Sequence, residues 1–539
     1  RLLCVRQATQ RNAGRKTAGV DGEIALSPQA RAELAVRVHR NARSWRPRPV
    51  KRVYIPKAGN RAKLRPLGIP VIADRCHQGR VRAALEPEWE ARFEPRSYGF
   101  RPGRGCHDAI SAIYNTCKGP RAKRVWALDA DLAAAFDKID HTRLLEKLGS
   151  FPARDMIRDW LTAGVFERGK EFAPTEEGTP QGGVISPLLL NVALHGLEHA
   201  AGVRYITAGR QAGDTKPGSP VVIRYADDLI AFCHSQRQAE QIKASLAEWL
   251  APRGLVFNED KTTIVHLSAG FDFLGFSVRR YGTTLLIKPS AAAIQRIRER
   301  LRTEMRSLRG SNAAAVLAAL TPIIRGWAAY YRGVVSSRTF KSLDNYLWRL
   351  TYKWATRGHA NKPRTWVVAR YFGKFNKFRN DHWVFGDAAS GAYLVKFSWT
   401  DIVRHTLVTG GSSPDDPALT EYWAQRRRRI KPPLDGYTLR LLTKQDGHCS
   451  LCGDELLFAE QPPQSPQQWE RWWLQITRKA IVADYLVHHG RSGSPDGDHT
   501  RLVHASCLSE LRTRRRRNQR FDPAPPSRLA CGACGESRP

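Results

Sequence analysis

The chain has no run of about 20 apolar residues, so no stretch is expected to span a membrane. It shows no leader of the signal-peptide kind and no internal repeat. It opens at Arg1 rather than Met, so its natural N-terminus is expected to lie upstream and targeting stays open. Above all it is short of acid. Fifty Asp and Glu stand against 87 Lys and Arg, a formal net charge of +37. An excess of that size, spread along the whole length, makes polyanions the natural partners. Their binding is expected to weaken steeply with salt, because each neutralised phosphate releases counterions.

What is present suits folded domains: 42% of the 539 residues are hydrophobic and 25% charged. The length implies roughly two to four domains. Of ten Cys, Cys4, Cys76, Cys106, Cys117 and Cys233 are scattered and read as buried reduced thiols. The other five crowd the C-terminal region as two CxxC pairs and a lone Cys. With no sign of secretion, that favours zinc over disulfides and a cytoplasmic, nucleoid-associated protein.

Along the chain, "PVKRVYIPK" and "VVIRYADDLIAFC" read as strands and "QAEQIKASLAEWLA" as a helix. From about residue 285, Ile294, Ile297, Leu301, Met305 and Leu308 recur at helical spacing beside an arginine-rich face. Aromatic-rich helical sequence continues to about 375. "GGSSPDDP" reads as a loop, Arg426–Arg429 and Arg514–Arg517 as basic runs, and "EQPPQSPQQ" (460–468) as a loop inserted in the last module.

Tyr225-Ala226-Asp227-Asp228 sits between the apolar runs Val221–Ile223 and Leu229–Phe232. Adjacent carboxylates between two strand-like runs predict a hairpin that holds metal ions. Asp131, in "WALDADLAAAFDKIDH", supplies a third acid. Phosphoryl transfer by two metals needs such a set: one ion activates the attacking 3′-OH and the other neutralises the leaving pyrophosphate. Mg²⁺ takes oxygen ligands, so Asp131, Asp227 and Asp228, with the backbone carbonyl of Leu132, are the expected ligands and the catalytic acids.

The segments around these acids resemble reverse transcriptases, and among them the group II intron-encoded reverse transcriptase/maturases. The resemblance rests on "TAGVDG", "YIPKAGNRAKLRPLGIPVIADRCHQ", "FEPRSYGFRPGRGCHDAI", "DADLAAAFDKIDH", "GTPQGGVISPLLLNVAL", "GLVFNEDKT" and "FDFLGF", in that order. It implies a multidomain α+β protein: a right-hand polymerase with fingers and palm over 1–280, a helical thumb or maturase domain over 281–375, and a DNA-binding region over 376–445. It assigns Lys63 and Arg65 to the triphosphate, Phe136 to a steric gate that excludes a 2′-OH, Gln181 to the nucleotide site and Lys261 to the leaving group. Arg325, Arg332, Arg338 and Lys341 of the thumb are the implied RNA contacts. The implied partners are group II intron RNA, target DNA and dNTPs, with no membrane. One departure is "LAAA" after Asp131, where the family often has Lys-Gly.

At the C-terminal end, Cys449-x-x-Cys452 and His504-x-x-Cys507 can supply four ligands to one tetrahedral Zn²⁺. Cys531-x-x-Cys534 can bind a second metal, replace one pair, or do neither. The layout resembles a small HNH endonuclease domain of ββα form, here over 446–539. In that resemblance His489 is the general base and His488 helps hold a divalent ion. This chain departs from the pattern: His499 stands at the usual Asn, and Leu508 where a late His is expected. Leucine cannot bind a metal; Asp498, His499 or a shifted loop can stand in for it, so the expected module binds zinc and DNA and its cleavage stays open.

The reading is therefore an RNA-directed DNA polymerase and maturase that uses Mg²⁺ and structural Zn²⁺, aids splicing of its intron and copies it during retrohoming. Two rivals remain: a non-catalytic RNA-binding splicing cofactor, and a DNA-binding or nicking protein with a relic palm. Activity after deletion from about residue 440 onward argues against the second.

Overall fold

The structure, a computed structural model of the chain, describes residues 2–539 apart from 43, 58–59, 168–171, 210–211, 377–378, 430–431, 458–462, 486–499 and 520–539. Two units emerge: residues 1–427 with 460–470, and residues 428–459 with 471–539.

The first unit begins its β structure with an antiparallel hairpin, β1 (Val50–Lys57) and β2 (Asn60–Ile69), in which Ile55 pairs with Arg65. Two helices follow, α1 (Ile72–Glu90) and α2 (Cys106–Cys117), and then β3 (Trp126–Asp131). A short parallel edge, β4 (Val165–Glu167), joins β1. Helix α3 (Ser186–Leu194), the hairpin β5 (Val221–Tyr225) and β6 (Asp228–Cys233), helix α4 (Gln236–Leu250) and β7 (Thr263–His266) complete the central layer.

The central sheet has the order β5-β6-β3-β7 and is antiparallel throughout. Successive side chains of a strand face opposite sides. Here that rule divides two hydrophobic cores. Ala127, Val221, Ile223, Ile230 and Phe232 pack on one side; Leu128, Ala130, Val222, Leu229 and Ala231 pack on the other, against Leu189 of α3 and Leu246 of α4. Strands buried on both faces read as continuous apolar runs, which is why "VVI" and "LIAF" flank the acids without alternation. The same parity puts Tyr225, Asp131 and Asp228 on the face of the first of these cores.

That core is shared with the strands β8 (Phe271–Phe273), β9 (Phe276–Tyr281) and β10 (Thr284–Pro289), and with the helices α5 (Ala291–Ser307), α6 (Ala313–Tyr331) and α7 (Ser337–Gly358). On α5, Ile297, Leu301 and Met305 are buried as their spacing predicts, and the Ser290 hydroxyl accepts the Ala293 N–H as an N-cap. Helix α6 bears on the expectation that no stretch spans a membrane. By length and composition it is apolar enough to cross a bilayer, but 67% of its most apolar stretch is buried inside the protein. Val316, Leu320, Ile324 and Trp327 fill the core instead.

Residues that follow α7 in the chain also pack on α2. Buried Asp108 accepts from Val408 N at 3.0 Å, with His405 Nε2 at 2.9 Å and Arg426 Nη2 at 3.4 Å. Arg426, first of the basic run, is thus an internal ion-pair partner. A second correction concerns residues 463–470: they belong with the first unit and are not a loop inside the C-terminal module.

The second unit contains α8 (Gly436–Lys444), capped by Asp435, then the antiparallel pair β11 (Ile481–Tyr485) and β12 (Thr500–His504), then α9 (Ala505–Gln519). Among the described residues its core is small: Leu441, Leu456, Ile481, Leu502, Val503 and Leu508 are among the few buried apolar side chains there. Arg514–Arg517 lie on α9.

Candidate active site and metal centre

The acid hairpin turns in two residues, Ala226 and Asp227, with Tyr225 paired to Asp228. Ala226 adopts φ +60°, the left-handed region that such turns demand and that a residue with a Cβ enters at a cost. Three residues that the sequence reading missed hold it there. Gly99 abuts the turn so closely that a Cβ would lie 2.2 Å from Ala226 N. Arg224, 3% exposed, donates to the Ala226 carbonyl at 3.1 Å and to Asn191 Oδ1 at 2.8 Å. Asn191 in turn donates to the Gly99 carbonyl at 2.9 Å. The loop carrying Gly99 is anchored by a buried ion pair, Arg101 to Glu90 at 2.9 Å. The only sequence signal for this brace was the run "SYGFRPGRG" itself.

Asp131 ends β3 and pairs in register with Asp228 across the ladder. Asp227 stands in the adjoining turn, so three carboxylates converge. Burial, then Asp227 and Asp131, push Asp228 up to about 7. Burial and Asp131 also raise Asp227. Two residues earlier on the same strand face, Asp129 is pushed up to about 7 by burial, Asp131 and Asp272. Acids that raise one another in this way form a site whose repulsion a cation relieves. Lys261 partly supplies that charge: its Nζ lies 2.5 Å from Asp131 Oδ2, and the bond raises the Lys261 pKa. The Asp131 carbonyl accepts the Asn258 N–H at 2.8 Å. Leu132, next in the chain, bridges to Phe257 with its side chain buried. Oxygen donors of this kind and number fit Mg²⁺.

The flanking residues gather from three segments. Arg65 is exposed on β2 and contributes favourably to the charges of Asp227 and Asp137. Lys63 lies on β2, and its side chain is outside the described residues. Gln181 donates to Asp137 Oδ2 at 3.0 Å, and its carbonyl accepts the Gly68 N–H at 2.7 Å. Gly182, at φ +117°, lets that turn meet β2, since a Cβ there would lie 2.7 Å from the Gly68 carbonyl. Phe136 is half-buried, edge-to-face with Phe100 at 6.0 Å between centroids. Of the cations expected to contact RNA, Arg338 and Lys341 are exposed, whereas burial pulls Arg332 down to about 10.

In the second unit the ligand atoms of Cys449, Cys452, His504 and Cys507 all lie within 4.8 Å of one another. Cys452 Sγ is 3.4 Å from His504 Nδ1, and His504 Nε2 is 3.2 Å from the Glu455 carbonyl, which fixes the ring. Burial alone would raise the Cys449 thiol, but amide hydrogen bonds from His504, Leu451 and Cys452 outweigh it and bring Cys449 to about 6. A ready thiolate among three sulfurs and one imidazole fits a structural zinc. Leu508 is buried in the small apolar core, and its side chain offers no ligand at the position expected to carry a late His. His488, His489, His499, Cys531 and Cys534 lie outside the described residues.

The acid-bearing hairpin and its antiparallel sheet lie in a segment of the reverse-transcriptase type. Residues 55–278 match the family described as reverse transcriptase (RNA-dependent DNA polymerase), residues 294–372 the group II intron maturase-specific domain, and residues 1–38 the N-terminal domain of reverse transcriptase. Protein YkfC of Escherichia coli is 36% identical over 299 residues, covering 50% of this chain and 77% of YkfC. The group II intron-encoded protein LtrA of Lactococcus lactis is 32% identical over 297 residues, 44% of this chain and 49% of LtrA. Maturase-like protein 1 of Euglena gracilis is 26% identical over 343 residues, 62% of this chain and 68% of that protein. The chain belongs to the group II intron reverse transcriptase/maturase family.

Proposed function

We propose that this chain is an RNA-directed DNA polymerase that also binds its group II intron RNA, assists its splicing and copies it at a DNA target. The observation that carries this reading is the register pairing of Asp131 with Asp228 beside Asp227, inside segments that match the reverse transcriptase and maturase families. Asp131, Asp227, Asp228 and the Leu132 carbonyl would hold two Mg²⁺ ions. Those ions, when bound, would lower the pKa of the primer 3′-OH and neutralise the leaving pyrophosphate. The protein's own groups do the rest. Lys63 and Arg65 bind triphosphate oxygens. Gln181, held by Asp137, orients the nucleotide. Lys261, which donates to Asp131, would be placed to meet the leaving pyrophosphate. The exposed thumb cations hold RNA by its backbone and shape.

Phe136 excludes the 2′-OH by bulk. Phe136→Ala is therefore expected to raise ribonucleotide incorporation relative to deoxynucleotide incorporation on the order of a hundredfold, with most DNA synthesis kept. Single-nucleotide incorporation assays measure the ratio, and an unchanged ratio would remove the gate role.

The zinc-stapled second unit is proposed as a DNA-binding module. With Leu508 buried, no cleavage is assigned to it. The central reading is tested by purifying the chain with its RNA and supplying a primed RNA template, Mg²⁺ and dNTPs. Intron RNA is expected to copurify and the primer to extend. A protein that holds the RNA firmly yet leaves the primer unextended would be the splicing cofactor instead.

A further inference from the structure

Residues 463–470 follow the first Cys pair in sequence, yet they dock beside the acid hairpin of the first unit. The Oε1 of Gln464 accepts the Cys106 N–H at 2.6 Å and the Tyr225 hydroxyl at 3.2 Å, and its Nε2 reaches the Arg104 carbonyl at 3.5 Å. Cys106 is the first residue of α2, whose N-cap, Gly105, has no side chain to offer. The oxygen of Gln464 thus satisfies an otherwise uncapped helix amide and holds the Tyr225 ring with the same atom. Two glycines make room for the segment. A Cβ on Gly105 would lie 2.6 Å from Gln464 Nε2, and one on Gly326 would lie 2.7 Å from Glu470 N and 2.8 Å from the Pro466 carbonyl. Gly326 sits inside α6, where glycine destabilises a helix relative to alanine, so its place there calls for a packing reason. At the far end Glu470 pairs with Arg300 of α5 at 2.7 Å, and Trp469 packs against the shared core.

We infer that residues 463–470 are a clip belonging to the polymerase site, with Gln464 a positioning residue for Tyr225 and, through the Tyr225–Asp228 pair, for the acid hairpin. The segment joins the start of a palm helix to two thumb helices, on the face that carries the acids. One consequence concerns truncation. Removal of everything from about residue 440 takes the clip as well, so lost DNA synthesis in that variant does not implicate the zinc module.

The inference rests on the polymerase reading, and its test separates the two. Gln464→Ala is expected to lower kcat for RNA-templated extension about tenfold with the dNTP KM within about twofold, the size of one lost hydrogen bond. Gln464→Glu keeps the accepting oxygen and should restore most of kcat. Tyr225→Phe should lose as much as Gln464→Ala, and the double variant no more. Mn²⁺ affinity at the acids, read by electron paramagnetic resonance, is expected to weaken several-fold in Gln464→Ala whether or not the protein extends primers. Failure of the unaltered protein to extend primers would count against the polymerase reading alone. Unchanged kcat and Mn²⁺ affinity in Gln464→Ala, or losses that multiply in the double variant, would overturn the clip. A raised kcat would too, since the segment would then be an obstruction.

Discussion

Asp227→Ala is expected to abolish RNA-templated DNA synthesis, by about a thousandfold or more, while RNA binding and splicing assistance persist. The magnitude follows from metal-held charge stabilisation, which contributes several kcal/mol to the transition state at about 1.4 kcal/mol per tenfold. The selectivity follows from the architecture. The turn is held by Gly99, Arg224 and Asn191 through backbone groups and packing, none of which needs the Asp227 carboxylate. The sign of the stability change can also be given. Burial and Asp131 raise the Asp227 pKa above its unfolded value, so its contribution to stability is greatest at low pH and is lost as pH rises through the folded value. Ionising the carboxylate therefore costs stability, and alanine removes that cost. The unfolding midpoint of Asp227→Ala at neutral pH should not fall. Primer extension, filter binding and a splicing assay on the same preparation measure the three properties. Splicing lost along with synthesis, in a folded variant that still binds RNA, would refute the separation of roles.

The second large effect is expected from the metal centre. The purified chain should carry one zinc at Cys449, Cys452, His504 and Cys507, and removing it should unfold the second unit. In zinc-finger peptides a structural zinc contributes about 10–16 kcal/mol, comparable with the whole stability of an ordinary domain at about 5–15 kcal/mol. The unit depends on it because its buried apolar cluster is small beside those of the first unit. Cys452→Ser or Cys507→Ser should reproduce the effect of chelation, whereas Cys531→Ser should leave zinc content unchanged, since four ligands already complete a tetrahedral site. Metal analysis and limited proteolysis from residue 428 onward read the outcome. A second unit that stays protected without metal would show that its apolar core suffices.

The chemistry of the acid site was legible because its residues carry it in their types and spacing. Two adjacent carboxylates between strand-like runs predict a hairpin, and strand parity then sets Asp131 and Asp228 on one face. The core stripe of α5 was readable in the same way, from side chains that recur every helical turn. The brace around Ala226 was not, since a glycine chosen for close approach looks like any other glycine until its neighbour is known. Leu508 marked a departure from a pattern, but its burial in the small core needed β11 and α9 to be placed. Residues 463–470 failed for a related reason: a polar Pro-rich stretch reads as a loop wherever it docks.

The sequence by itself determined the acids, the order of the polymerase segments, the basic character and the Cys and His that can hold zinc. These depend on residue identity and local period, which the chain carries directly. Only the tertiary structure decided that Arg426 is an internal ion-pair partner, that Asp129 joins the acid face, and that Gln464 reaches Tyr225 across 239 positions. Such contacts join residues far apart in the chain. No local preference encodes them, because they exist only once the two cores on either side of the palm sheet have closed.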